Sequence, residues 1–149
     1  MRVGEVCNRA VVVAAPETGV VEAAQLMREY HVGTLVVVER DGAQARPLGI
    51  VTDRDLVIEV LAKEAAPEDL AMEDFITGEL ITATQDDDLL ETLGRMRSEG
   101  IRRMPVIGDQ GELVGILSVD DVLEMLAEAI GQVPQLVRRQ QTAEITRRP

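Results

Sequence analysis

The chain has 149 residues, of which 46% are apolar and only 1% aromatic, and a formal net charge of −12. This length fits one domain with an aliphatic core, and the charge and the scarcity of aromatic side chains argue against nucleic-acid and anionic-membrane partners. One cysteine, Cys7, and one histidine, His31, exclude an intrachain disulfide and a multi-thiolate or multi-histidine site, so we expect no metal site. No signal-like stretch follows the start and no apolar run reaches the ~18 residues of a membrane span, so we expect a cytoplasmic protein.

The first half of the chain predicts the order strand, helix, strand, strand, helix after a short lead-in. The first strand is a β-branched run stopped by Pro16. Thr18 is a candidate cap for the next helix, Gly33 is expected to end that helix or to follow its end shortly, and Asp41-Gly42 marks a turn. The predicted elements are a strand over 10–15, a helix over 21–30, strands over 35–38 and 48–51, and a helix over 53–63.

The second half repeats this order after a linker at 64–68 and a short helix over 69–75. Three aspartates at 86–88 favour the start of a helix, because negative charge is stabilising near a helix N-terminus. Gly131 is expected to end the last helix. The predicted elements are strands over 80–83, 104–107 and 113–117, a helix through 99, a turn over 109–111, a helix over 119–130, and a partly frayed basic tail with Arg138, Arg139, Arg147 and Arg148.

The two halves are copies of one unit. An offset of 69 residues places Val3–Val38 on Met72–Ile107 without a gap, and an offset of 66 places Gly49–Asp55 on Gly115–Asp121. The difference of three residues falls in a surface loop, where length changes are tolerated. We therefore expect an α/β (α+β) fold of two stacked units with pseudo-twofold symmetry. The expected boundaries are 1–66 for the first unit, 67–131 for the second and 132–149 for the tail.

Each copy ends its last strand with a hydroxyl residue followed three positions later by an aspartate. The pairs are Thr52 with Asp55 and Ser118 with Asp121. A strand-to-helix turn presents free backbone N–H groups and the positive end of a helix dipole, which suit an anion. The same spacing fits a helix cap. The pattern alone therefore leaves a ligand site and a purely structural cap open.

The chain resembles a stand-alone pair of cystathionine-β-synthase-type (CBS) domains, a Bateman module. The resemblance rests on residues 31–38 with 49–55 and on residues 100–106 with 115–121, and it covers about residues 1–130. It implies a regulatory module, without catalytic residues or a required cofactor, that binds AMP, ADP, ATP or S-adenosylmethionine in clefts between the two units. It also implies a homodimer formed through helices and an unidentified regulated protein.

The resemblance further implies that each cleft combines the hydroxyl–aspartate turn of one unit with the early strands of the other. The first cleft is expected to contain Thr52, Asp55, Thr84, Ile101, Arg102, Arg103 and Met104. The second cleft is expected to contain Ser118, Asp121, Ala15, Val32, Gly33, Thr34 and Leu35. Because the first set has two arginines and an extra hydroxyl, we predict that the first cleft binds a phosphorylated nucleotide better.

Two other functions remain alternatives. The chain could be a protein-interaction or dimerisation module whose clefts are vestigial. It could also be an enzyme, but the sequence has no nucleophile–base pair, no Gly-rich elbow around a serine and no Gly-x-x-x-x-Gly-Lys-Ser/Thr phosphate loop. We therefore do not expect an enzyme.

Overall fold

The computed structural model describes residues 1–147 and contains two three-stranded sheets, ordered β1-β2-β3 and β4-β5-β6. In each sheet the first pair of strands is parallel and the second pair is antiparallel. The helices are α1 (Val3–Val6), α2 (Val20–Glu29), α3 (Asp53–Leu56), α4 (Leu89–Glu99) and α5 (Val119–Arg147). The strands are β1 (Val13–Ala14), β2 (Thr34–Asp41), β3 (Gln44–Thr52), β4 (Ala83–Thr84), β5 (Arg103–Ile107) and β6 (Leu113–Ser118). The α/β class and the order of elements in each unit are confirmed.

The two units exchange their first segments. Val3 in α1 is fully buried in the core of the second unit, and Met72, 69 residues later, is fully buried in the core of the first. The backbone contacts repeat at the same offset: Val3 N donates to Asp87 O at 3.0 Å, and Met72 N donates to Thr18 O at 2.9 Å. Each half of the sequence therefore completes the core of the other half.

The exchange explains why the predicted first strand of each unit is too long. The first strand was expected over 10–15, but β1 contains only two residues, because the chain before it lies against the second sheet. There, Asn8 and Ile116 donate their N–H groups to one another's carbonyl oxygens at 2.9 Å. In the second unit the predicted strand over 80–83 is wrong in the same way, since β4 begins at Ala83.

Short turns replace the helix that was predicted over 69–75. The structure has 3₁₀ turns at Pro67–Asp69 and Met72–Phe75, and the first of them lies partly within the expected linker. The buried Met72 needs only one turn to reach the core of the first unit, so a longer helix does not form there.

The predicted N-cap of α2 is wrong. Gly19 is the N-cap residue, while the hydroxyl of Thr18 accepts from the backbone of Ala15 at 3.0 Å and closes the preceding turn. At the other end α2 stops at Glu29, shortly before Gly33 as expected, and the left-handed residue after the helix is His31, with φ 53. The equivalent residue in the second unit is Gly100, with φ 68. In contrast, Asp88 caps α4 as expected, accepting from two backbone N–H groups.

The helix predicted over 53–63 changes its hydrogen bonding after one turn. α3 ends at Leu56, and Val57–Leu61 continues as a π-helix. Its wider turn is closed by Ala62 N, which donates to Val57 O at 2.9 Å.

The predicted end of the last helix at Gly131 is also wrong. α5 runs through Gly131 and Pro134 to Arg147, so the expected frayed tail is helical over its described part, and Arg148 lies outside the described residues. Residues 126–147 are exposed along their whole length. Within residues 1–147, no helix combines the length and the apolarity that crossing a bilayer requires.

Candidate ligand-binding clefts

Two cavities lie between the units, each beside one hydroxyl–aspartate turn. The Asp55 cavity has a volume of about 310 Å³, and the Asp121 cavity has a volume of about 260 Å³. The first volume is at the lower end of the range of about 300–1,000 Å³ for small-molecule sites, and the second is just below it. Both cavities are therefore close in size to the smallest small-molecule sites.

The sequence repeat relates the walls of the two cavities. Ile50 and Asp55 border the first, and Ile116 and Asp121, 66 residues later, border the second. The opposite walls come from the exchanged segments and the chain that follows them. These segments contribute residues 75–81 to the Asp55 cavity and residues 8 and 10–12 to the Asp121 cavity.

In each turn, one carboxylate oxygen of the aspartate caps a helix. Thr52 N donates to Asp55 Oδ2 at 2.8 Å, and Ser118 N donates to Asp121 Oδ2 at 3.1 Å. In return, Asp55 N and Asp121 N donate to the hydroxyl oxygens at 3.2 Å and 3.1 Å. Over residues 1–147 no hydrogen bond reaches either Oδ1 atom. Each carboxylate therefore caps its helix and retains an oxygen that can accept a donor from a ligand.

Arg103 borders both cavities. Its Nη2 atom lies 3.9 Å from Asp120 Oδ2, and Nη2 of Arg102 lies 3.4 Å from Asp120 Oδ1. Asp120 is mostly exposed, and ion pairs of exposed groups contribute little free energy. The guanidinium of Arg103 is therefore available to an anion in either cavity.

The structure assembles the predicted first cleft only in part. Asp55, Ile101 and Arg103 border the Asp55 cavity. Thr52 adjoins them as the capping partner of Asp55 and does not itself line the cavity.

The three other predicted members of the first cleft lie outside the cavity. Met104 is fully buried in the core, because successive side chains of a strand point to opposite faces. Arg102 has a side chain that is 72% exposed. Thr84 donates its hydroxyl to Asp87 Oδ1 at 2.6 Å. This hydrogen bond, helped by Arg95, holds the pKa of the Asp87 carboxyl below its usual value.

The predicted second cleft is more complete. Val32, Gly33 and Thr34 border the Asp121 cavity together with Ser118 and Asp121. The hydroxyl of Ser118 also donates to the Asp121 carboxylate, so the serine is fully engaged in the cap.

Two predicted members of this second set lie elsewhere. Leu35 is fully buried in the core because, as for Met104, successive side chains of a strand point to opposite faces of the sheet. Ala15 borders a separate cavity beside Pro16 and Glu17.

The sequence analysis did not predict that the exchanged segments, and the chain after each of them, form walls of the two cavities. It also did not include His31, which lies at the edge of the Asp121 cavity, among the site residues. The available signal was the pair of apolar residues that opens each copy, Val3 with Val6 and Met72 with Phe75. Their 69-residue offset shows that both segments belong to the repeat, but it does not show which unit each one packs against.

The expected excess of positive charge in the first cleft is absent. Arg103 serves both cavities and Arg102 serves neither, whereas Glu79 adds a carboxylate to the Asp55 cavity at the position that Ala10 occupies in the other. The Asp55 cavity therefore has more negative charge than the Asp121 cavity. This charge balance does not support the predicted preference of phosphorylated ligands for the first cleft.

Two copies of one strand-helix-strand-strand-helix unit, with exchanged first segments and two cavities related by the repeat, define a tandem-repeat α/β protein. The family model of the CBS domain matches residues 3–62 and again residues 72–128. The chain belongs to the CBS-domain family.

Known proteins of similar sequence and structure support this assignment. An uncharacterized protein of Methanopyrus kandleri is 34% identical over 138 residues, which cover 92% of this chain and 68% of the relative. The crystal structure of an uncharacterized conserved protein from Pyrococcus horikoshii matches with a TM-score of 0.73 and 30% identity, covering 83% of this chain and 90% of the other. A CBS domain protein from Pyrobaculum aerophilum, solved in complex with AMP, matches with a TM-score of 0.71 and 27% identity, covering 81% and 89%.

Proposed function

We propose that this protein is a regulatory module, without catalytic activity, that senses an adenosine-containing nucleotide in the clefts between its two units. AMP is the first candidate, because the similar protein from Pyrobaculum aerophilum was solved with it. ADP, ATP and S-adenosylmethionine are the others. The observation that carries the proposal is that Asp121, which has a carboxylate oxygen free of hydrogen bonds within residues 1–147, and Arg103, with its guanidinium, border the same cavity.

The chemistry of these two groups matches the two polar parts of a nucleotide. An ionised carboxylate accepts hydrogen bonds from vicinal hydroxyls such as those of ribose, and a guanidinium binds phosphate bidentately. Aliphatic side chains such as Val12, Val32 and Ile116 supply apolar walls for a flat base. Because the Asp55 cavity has the additional carboxylate of Glu79, we propose that a phosphorylated nucleotide prefers the Asp121 cavity.

Regulation further requires that the ligand bind two states of the protein with different affinity. We propose that the protein is a homodimer and that nucleotide binding alters its contact with a regulated protein. The apolar side chains of Val57 and Leu61, which are 53% and 70% exposed, offer a surface for a second copy.

Thermal unfolding with and without ligand tests the proposal. AMP, ADP, ATP, S-adenosylmethionine and adenosine are each added at millimolar concentration to the wild-type protein and to Asp121→Ala, Asp55→Ala and Asp88→Ala. A ligand at about 100 times its Kd stabilises the fold by about 2.7 kcal/mol, which raises Tm by several degrees.

Asp88→Ala is the matched control because Asp88 caps α4 away from both cavities. All three variants lose a cap and about 0.5–2 kcal/mol of stability. We expect only Asp121→Ala to lose most of the response to AMP. A response that all three variants retain would contradict a role for these carboxylates, and no response of the wild type to any ligand would favour the interaction module with vestigial clefts.

A further inference from the structure

The last 22 residues of α5 project from the body of the protein, and nothing within residues 1–147 packs against them. We call residues 126–147 the α5 arm. All of them are exposed, and at about 1.5 Å per residue the arm is about 33 Å long. Most of the stability of helices in proteins comes from packing of an apolar face, and Gly131 and Pro134 weaken this helix further. A stable arm therefore requires a surface to pack against.

The arm carries an apolar seam with the spacing of a coiled coil. The seam residues follow one another at intervals of three and four positions, the heptad pattern that keeps side chains on one face. They are 46–70% exposed. The seam consists of Leu126, Ile130, Val133 and Val137.

Charge is segregated along α5. The half before residue 132 carries the acidic side chains Asp120, Asp121, Glu124 and Glu128 and no basic ones. The half from residue 132 to 147 carries Arg138, Arg139 and Arg147 against Glu144 alone. Two parallel copies would place arginines beside arginines, whereas two antiparallel copies place each acidic half beside a basic half.

We propose that the α5 arm pairs with the α5 arm of a second copy of this chain in antiparallel orientation. The register that places Ile130 opposite Val133 of the second copy also places Leu126 opposite Val137, so that four layers of the seam are buried. The basic half of each arm then offsets the charge repulsion between two chains of net charge −12. This pairing is independent of nucleotide binding, and it uses a surface other than the one formed by Val57 and Leu61.

Analytical ultracentrifugation of the full chain tests the pairing. We expect the wild type to be dimeric at micromolar concentration. Val133→Glu with Val137→Glu removes four valine side chains from the dimer, two in each copy, and should raise the dimer dissociation constant by about 10,000-fold, roughly one factor of ten for each side chain. Gln135→Glu with Thr142→Glu is the matched control, because it adds the same charge to the arm on the side away from the seam.

The results of this experiment distinguish pairing through the α5 arm from pairing through the surface formed by Val57 and Leu61. A monomeric wild type, or a dimer that the two seam substitutions leave intact, would overturn the proposal. If Leu61→Glu dissociates the dimer while the seam variant does not, the contact lies between the bodies of the units and the arm has no part in it. The response to AMP is measured in the same samples and should be unchanged in the seam variant.

Disulfide formation tests the orientation. In a Cys7→Ser background, Ile130→Cys and Val133→Cys proteins are mixed and oxidised, and intact masses identify the products. Antiparallel pairing predicts that the mixed disulfide forms faster than either symmetric one. Faster symmetric disulfides would show parallel pairing and would overturn the proposal.

Discussion

The sulfur of Cys7 lies against the backbone of Gly115, 2.9 Å from the point where a Cβ atom of residue 115 would be. The carbonyl oxygen of Asn8 is 3.0 Å from the same point. Cys7 and Asn8 follow the exchanged α1 segment, so the glycine lies where the first unit's chain crosses the last strand of the second. At the equivalent crossing in the first unit, side-chain atoms of Ile76 lie as close as 2.8 Å to a Cβ built on Gly49. Both glycines of the hydroxyl–aspartate motifs therefore make room for the exchange.

Gly115→Ala should destabilise the protein by about 1–3 kcal/mol, because the added methyl group overlaps a sulfur atom and a backbone oxygen that cannot both move away. Denaturant unfolding monitored by circular dichroism measures the change. Gly94→Ala is the matched control: Gly94 lies within α4 and a Cβ there meets nothing within 4 Å, so this variant should gain about 0.5–1 kcal/mol. Equal effects at the two positions would show that the crossing is not tightly packed.

Arg103→Ala should weaken binding at both cavities, since the guanidinium borders both. The loss applies to phosphorylated ligands: we expect AMP affinity to fall at least about tenfold, because a hydrogen bond to a charged group contributes about 1.5–3 kcal/mol. Adenosine should bind with little change. Calorimetric titration measures both ligands, and Arg102→Ala is the control because Arg102 borders neither cavity. If adenosine and AMP lose the same affinity, Arg103 shapes the cavity and does not contact phosphate.

Two buried hydroxyls have no hydrogen-bond partner among the described residues, those of Thr34 and Thr92. Thr92 lies in α4 and is 1% exposed, whereas Thr34 borders the Asp121 cavity. A buried polar group without a partner costs about 1–3 kcal/mol, so replacement of either residue by valine should raise stability by up to about 1 kcal/mol. We expect Thr34→Val, but not Thr92→Val, to reduce the additional stabilisation that AMP provides. Thermal unfolding with and without AMP measures this difference, and an unchanged response in Thr34→Val would exclude its hydroxyl as a ligand contact.

Periodicity and repetition predicted the architecture, because both copies carry the same pattern and each copy supports the assignment of the other. The candidate site was predicted less well. The turn residues Asp55 and Asp121 border the cavities as expected, since the strand-to-helix turn is a local structure. The exchanged walls are long-range contacts that local spacing does not encode. Thr84 shows a second limit, because a hydroxyl that binds a neighbouring aspartate and one that binds a ligand have the same sequence signature.

The end of α5 shows a third limit of local signals. Gly131 and Pro134 are ordinary signals for the end of a helix, but the helix continues through both. Such signals are weak relative to packing, and a seam buried against a second copy would supply the packing that outweighs them.

The stability of the protein should depend on the ionised form of Asp87. Its carboxylate accepts from Thr84 Oγ1 at 2.6 Å and from Thr84 N at 3.1 Å, and it pairs with Arg95 at 3.1 Å. The hydrogen bond from the Thr84 hydroxyl is the largest cause of the lowered pKa of Asp87, with a further contribution from Arg95. A carboxyl with a lower pKa in the folded state stabilises the fold at pH values above its unfolded pKa, and it loses this effect as the pH falls through the folded value.

Asp87→Asn should therefore lower the free energy of unfolding near pH 7 by about 1 kcal/mol or less, since the carboxylate is partly exposed. The gap between the variant and the wild type should narrow below about pH 4, where the wild-type carboxyl becomes protonated. Urea unfolding from pH 3 to pH 7 measures both effects. Asp86→Asn is the matched control, because Asp86 and its partner Arg2 are each 67% exposed and such pairs add little stability. A gap between Asp87→Asn and the wild type that stays constant down to pH 3 would show that the charge of Asp87 does not stabilise this turn.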